Sequence, residues 1–186
     1  MEDPELTASD RAALLALARC AIAAALCRRT PPELPDVPGA RIRRGAFVTL
    51  VERETRDLRG CIGHVKDDRP LGEVIRQVAV SAARRDARFP PVEPGELAAV
   101  QIEISVLGVP VLLESADPGR VVIGRDGLLL RRGAVQAVLL PQVATENGFG
   151  PEDFLDALCR KAGLMPGSHR EPGTRLFTFT ADVFVE

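Results

Sequence analysis

Val100-Gln101-Ile102-Glu103-Ile104-Ser105-Val106 alternates without a break, with Val100, Ile102, Ile104 and Val106 on one face of an extended chain and Gln101, Glu103 and Ser105 on the other. Such a segment is a half-buried strand, so a sheet must cover an apolar partner with one face. Preceding residues supply both. Gly45-Ala46-Phe47-Val48-Thr49-Leu50-Val51 is rich in β-branched and aromatic residues and reads as another strand. After a charged turn from Glu52 to Asp57, Leu58 to Val65 pairs back as a hairpin. Leu71, Val74, Ile75, Val78 and Ala82 mark an amphipathic helix that follows Pro70 and ends near Arg85.

Nearer the start, Thr7 caps a helix beginning around Ala8, with Asp10 in its first turn and Leu14, Leu17, Ala18, Ala21, Ile22 and Ala25 at helical spacing. The prolines at 31, 32, 35 and 38 then restrict their own backbone and that of the residue before each, so residues 30–40 are expected to form a connector without regular structure. Beyond Val106, Leu128 to Arg131 and Ala134 to Leu139 are short strands joined across Arg132-Gly133. Pro141 and Pro151 each fit the first turn of a short helix, Gly148 and Gly163 the C-terminal stops, and Leu176 to Val185 a last strand. Hairpins with interspersed helices predict an α+β fold, a mostly antiparallel sheet with packed helices, rather than strict βαβ repetition.

The 186 residues fit one domain spanning 1–186, with usage that is globular: 46% hydrophobic and 27% charged. Lys and Arg total 24 against 26 Asp and Glu, so no global field draws the chain to nucleic acid or to an anionic membrane. The absence of Trp and Tyr removes most stacking platforms for single strands. Leu14 to Leu26 is too short and too interrupted to span a bilayer, and without the basic start of a signal peptide the expected compartment is the cytoplasm. Cys20, Cys27, Cys61 and Cys159 are widely spaced, which predicts free thiols rather than a zinc ribbon or disulfide framework. With two histidines and no phosphate loop, dinucleotide fingerprint, nucleophile elbow or HExxH, neither a metal nor a cofactor is expected.

One segment carries unusual chemistry: Leu58-Arg59-Gly60-Cys61-Ile62-Gly63-His64. On a regular strand Arg59 and Cys61 share a face, where a guanidinium favours the thiolate, while His64 falls on the other face unless a bulge at Gly60 or Gly63 reverses it. Cys61 is therefore expected to be the most reactive thiol, with Cys20 and Cys159 inert in apolar helical contexts. Arg59 is expected to matter more for function than for folding. Glu103, flanked by Gln101 and Ser105, is a candidate base or ligand. In Arg84-Arg85-Asp86-Ala87-Arg88-Phe89, Asp86 pairs with a neighbouring arginine or caps a turn, and Phe89 anchors.

In order along the chain, Leu58-Arg59-Gly60-Cys61-Ile62-Gly63, Asp86-x-Arg88-Phe89, Glu103-x-Ser105-Val106-Leu107, Gly124-x-x-Gly127-Leu128 and Leu140-Pro141-Gln142-Val143-Ala144 resemble the AMMECR family from about Ser9 onward. The resemblance implies an α+β fold with a larger lobe built from both chain ends and a smaller central lobe. It also implies genomic association, as in the bacterial AmmeMemoRadiSam system, with a Memo-type protein and a radical SAM enzyme. No established activity comes with it. Phe149 and His169 stand where the family usually has Trp, so the resemblance implies no role here that needs those indoles.

Three readings follow. In one, Cys61 is the nucleophile or acid/base of a thiol enzyme, with Arg59 favouring the thiolate and Glu103 or His64 moving a proton. In the second, the motif forms a groove in a binding or accessory component, with Gly60, Ile62, Gly63, His64, Asp86, Arg88 and Phe89 around it. The third makes the motif purely structural. Lack of a cofactor fingerprint and of a convincing dyad favours the second.

Overall fold

The computed structural model describes residues 5–66, 68–114 and 117–186. Its elements are α1 (Ala8–Leu26), α2 (Pro38–Arg41), β1 (Ala46–Glu52), β2 (Leu58–His64), α3 (Leu71–Arg84), β3 (Val100–Leu107), β4 (Val111–Leu113), β5 (Gly127–Arg132), β6 (Val135–Leu139), α4 (Pro141–Glu146), α5 (Pro151–Lys161), β7 (Thr174–Phe179) and β8 (Ala181–Val185). The fold is α+β, in two compact units: Met1–Leu107 with Asp182–Glu186, and Gly108–Ala181. The larger unit thus combines both ends of the chain.

In that larger unit the sheet runs β2-β1-β3-β8, with β1 antiparallel to both β2 and β3. One sheet face, carrying Ala46, Val48, Leu50, Ile102 and Ile104, is sealed by the buried sides of α1 and α3. Leu14, Ala18 and Ile22 come from α1, and Val74, Ile75, Val78 and Ala82 from α3, as their helical spacing requires. Each fully buried Leu, Ile or Val contributes about 1.5–3 kcal/mol. Glu186 ties the last strand in place: its carboxylate accepts from Arg19 Nε at 2.6 Å and from the Ile102 N–H at 3.3 Å.

The start of α1 is a closed capping box. Thr7 Oγ1 accepts from the Asp10 N–H at 3.1 Å while Asp10 Oδ2 accepts from the Thr7 N–H at 2.9 Å. Asp10 also reaches the connector, its Oδ1 accepting from the Gly39 N–H at 2.8 Å. Residues 30–40 were expected to lack regular structure, yet α2 occupies Pro38–Arg41, because Pro38 suits a first helical turn and Asp10 binds the next N–H. The Thr7 hydroxyl, followed by the Gly39 and Thr7 N–H groups, holds Asp10 below the usual carboxylate range.

The β1–β2 hairpin contains the motif and a bulge. Leu50 faces Gly60 but Val51 faces Leu58, so Arg59 is the extra residue. This corrects the expectation that Arg59 and Cys61 share a face: alternation fails at the bulge. Arg59 is 8% exposed. Its guanidinium donates to Glu96 Oε1 at 3.1 Å and Oε2 at 3.2 Å, and to the carbonyls of Pro90 at 2.9 Å and Pro91 at 3.4 Å. Gly60 follows the bulge where a Cβ would stand 2.4 Å from the Ala82 carbonyl oxygen, so α3 lies against bare backbone.

The central unit has its own sheet, ordered β4-β7-β5-β6, with α4 and α5 covering it. Leu128, Leu130, Phe154, Leu155 and Leu158 form its core. Register pairs Arg132 with Val135, so the turn is Gly133-Ala134, one residue later than the sequence suggested. Leu176 to Val185 is not one strand. β7 belongs to the central sheet and β8 to the other, with Thr180 between them accepting from the Gly108 N–H at 2.8 Å. Apolar alternation continues through the switch, which is why the pattern concealed it. β4, three residues long, fell below what periodicity can detect.

Gly60→Ala is expected to destabilise more than Arg59→Ala, by about 3 kcal/mol or more against about 2 kcal/mol, because a backbone carbonyl cannot step aside while the carbonyls left by Arg59 can take water. Chemical-denaturation midpoints of the two variants check the order. A carboxyl with a depressed folded pKa stabilises above its unfolded value of about 3.9 and loses that contribution as pH falls toward the folded value. Melting temperature is therefore expected to drop below about pH 4 in the wild type, and less steeply in Asp10→Asn.

Candidate functional site

Directly paired residues of antiparallel strands share a face. Thr49 faces Cys61 on one side and Glu103 on the other, so thiol, hydroxyl and carboxylate form a row across three strands. This row lies on the sheet face opposite Ala46, Val48 and Leu50, and all three members are half-buried. The Thr49 hydroxyl donates to Cys61 Sγ at 3.3 Å. Adjacent strands lie about 4.8 Å apart, placing the Cys61 and Glu103 backbones about 10 Å from each other.

Phe47 is next on the same face, paired with Gly63 and with Ser105. A Cβ on Gly63 would sit 2.3 Å from Phe47 Cγ, so the ring lies on bare backbone beside Cys61. Ile62 and His64 project the other way. Ile62 pairs with Val48 and packs on the core, while His64 pairs with Ala46 and is exposed, which keeps its imidazole off the cysteine row.

β2 is an edge strand, and its free side is held by the segment after α3. Asp86 Oδ2 accepts from the Cys61 N–H at 2.8 Å, and the Cys61 carbonyl accepts from Arg88 Nη2 at 3.4 Å. Asp86, 7% exposed, is bound in turn by Arg88: Nε at 2.9 Å, Nη2 at 2.7 Å and its own N–H at 3.1 Å. The Arg88 side chain holds Asp86 well below the usual carboxylate range and is itself raised by that pairing, with Cys61 adding a smaller contribution. Arg88 also lies over the Phe89 ring, 5.4 Å from its centroid.

The cation associated with Cys61 is therefore Arg88, which the sequence reading placed around the groove without assigning it to the thiol, and Arg59 is taken up by Glu96. Thr49 was missed altogether. Its position opposite Cys61 depends on the hairpin register, which the bulge shifts. Cys20 and Cys27 are exposed, so Cys20 does not share the apolar seclusion expected of it. Cys159 is buried in the central unit, its Sγ 3.8 Å from His169 Nδ1. Burial pushes that thiol up and that imidazole down, leaving both neutral. Among the described residues no group of three His, Cys, Asp or Glu side chains is placed to hold a metal ion, and no helix is long and apolar enough to cross a membrane.

The sequence pattern of the AMMECR1 family matches residues 15–184. A protein of Methanothermobacter thermautotrophicus is 47% identical over 162 residues, covering 85% of this chain and 82% of its own. One from Thermofilum pendens is 40% identical over 195 residues, with 97% and 92% covered. The crystal structure of Uncharacterized Protein PH0010 from Pyrococcus horikoshii is similar with a TM-score of 0.89 at 38% identity, over 93% of this chain and 89% of that one. A match this long, running through the hairpin, the Asp86 to Phe89 segment and the central unit, makes this chain a member of the AMMECR1 family.

Proposed function

We propose that this protein is a binding component whose working surface is the row Cys61, Thr49 and Glu103, beside Phe47. In this reading it accepts a segment or substrate of a Memo-type and radical SAM modification system. The observation that carries it is the spacing. Thiol, hydroxyl and carboxylate stand on one face of three adjacent strands, with the outer two backbones about 10 Å apart, which suits attachment of a ligand lying across the strands. The Phe47 ring adds an apolar neighbour to that polar row. Asp86 and Arg88 bind the N–H and the carbonyl of Cys61 along the free edge of β2, so the row is preorganised on a rigid element.

A second reading, the thiol enzyme, draws on one contact. A hydroxyl that donates to sulfur favours the thiolate, so Thr49 can activate Cys61 without a histidine. Glu103, on the same face beyond Thr49, is the candidate proton acceptor in that reading.

Two measurements separate these readings. In alkylation followed by mass spectrometry, Cys20 and Cys27 are expected to react first, Cys159 only on unfolding, and Cys61 between them, with Thr49→Val slowing Cys61 several-fold. A Cys61 that is silent until unfolding removes the enzyme reading. Co-expression with a Memo-type protein and a radical SAM enzyme, followed by pull-down, is expected to recover a complex that Glu103→Gln or Cys61→Ser weakens while melting temperature is kept. Turnover of a substrate by the lone protein, with neither partner retained, overturns the binding reading.

A further inference from the structure

On the opposite side of the larger unit from the Cys61 row, the last turns of α1 and the outer side of α3 border a cleft of about 540 Å³. Its apolar lining contains no aromatics: Ala21 and Ala25 from α1, Val80 from α3 and Pro31 from the connector. Four arginines from separate segments line it. Arg29 follows α1, Arg69 precedes α3, Arg76 lies on α3 and Arg85 follows it, against a single carboxylate, Glu73. The chain as a whole carries a formal charge of −2, so this concentration of positive charge is local.

Elsewhere in the unit some guanidinium groups bond neutral oxygens, as Arg56 does with Gln101 Oε1 and Arg84 with the Ala25 carbonyl, and others are paired. Arg19, Arg53, Arg59 and Arg88 each reach a carboxylate. Among the described residues Arg29, Arg76 and Arg85 form no ion pair. Arg76 donates to the Pro32 carbonyl at 3.0 Å, which fixes its direction without cancelling its charge. Like charges drawn into one concavity repel each other and destabilise the compact state, and a concave surface focuses their field on whatever enters. A planar fork of N–H donors matches phosphate oxygens in geometry as well as charge.

We propose that this cleft binds a small organic phosphate or pyrophosphate, with the anionic end among Arg29, Arg76 and Arg85 and an aliphatic body over Ala21, Ala25 and Val80. The volume falls within the range of small-molecule sites. The lack of an aromatic lining gives a nucleobase nothing to stack on, which separates this ligand class from nucleotides and single-stranded nucleic acid. Ser81 and Gln77, both on the lining, add neutral hydrogen-bonding groups for the ester or hydroxyl part. The site lies on the helical side and works independently of the role proposed for Cys61.

Isothermal titration of the full chain with inorganic pyrophosphate, isopentenyl pyrophosphate and ADP tests the assignment. Isopentenyl pyrophosphate is expected to bind most tightly, pyrophosphate next, and ADP no better than pyrophosphate. The double variant Arg29→Gln/Arg85→Gln alters two exposed side chains and is expected to keep the melting temperature while raising both pyrophosphate Kd values about tenfold or more. Arg76→Gln is expected to do the same unless loss of the Pro32 contact unfolds the connector, and the double variant decides in that case. Kd values above about 1 mM for both pyrophosphates, values unchanged in the double variant, or tighter binding of ADP or of a single-stranded oligonucleotide would each overturn the proposal.

Discussion

The larger unit depends on one close approach, the Ala82 carbonyl of α3 against the bare backbone of Gly60 in β2. Because no Cβ intervenes, the helix lies low on the hairpin and its apolar side meets the sheet. The strand bulges immediately before this contact, which turns Arg59 toward the loop after α3, and the same low helix ends where Asp86 can reach the Cys61 N–H. Helix seat, arginine anchor and the clamp on the edge strand are thus one arrangement. The residues of the motif divide accordingly: Arg59, Gly60 and Ile62 build the hairpin, and Cys61 is what the hairpin displays.

This division explains what could be read from the sequence. Thr7 and Asp10, the apolar spacing of α1 and α3, and the alternation of β3 are local signals, and each element formed where those signals place it. The faces of Cys61 and Glu103 also follow from alternation. Two things were beyond that reading. A bulge adds one residue and reverses the face of what precedes it, so Arg59 was assigned to the wrong neighbour. Cross-strand partners depend on register, so Thr49 went unnoticed although its hydroxyl donates to the sulfur. The arginine cleft was hidden for a different reason: its charges come from four places between Arg29 and Arg85 and meet only through the packing of α1 on α3.

Within the larger unit, one sheet serves two kinds of surface. Its helix-covered face provides the stability, and the polar row stands on the reverse face of the same strands. Side chains on the reverse face gain rigidity from the buried one, since Val48 and Leu50 flank Thr49, and Ile102 and Ile104 flank Glu103. Substitutions on the polar face can therefore be judged on binding, with folding measured separately.

The chain leaves the larger unit after Leu107 and re-enters it at Asp182, next to the strand it left. During synthesis, β3 emerges long before β8, so a nascent chain holds a sheet with one unpaired edge while the central unit is still being made. Completion of the sheet awaits β8, and the Glu186 contacts to Arg19 and Ile102 close it. A nascent polypeptide of this architecture thus passes through an interval in which its exposed edge is open to aggregation or to a chaperone, and the interval is as long as the time needed to translate the insertion.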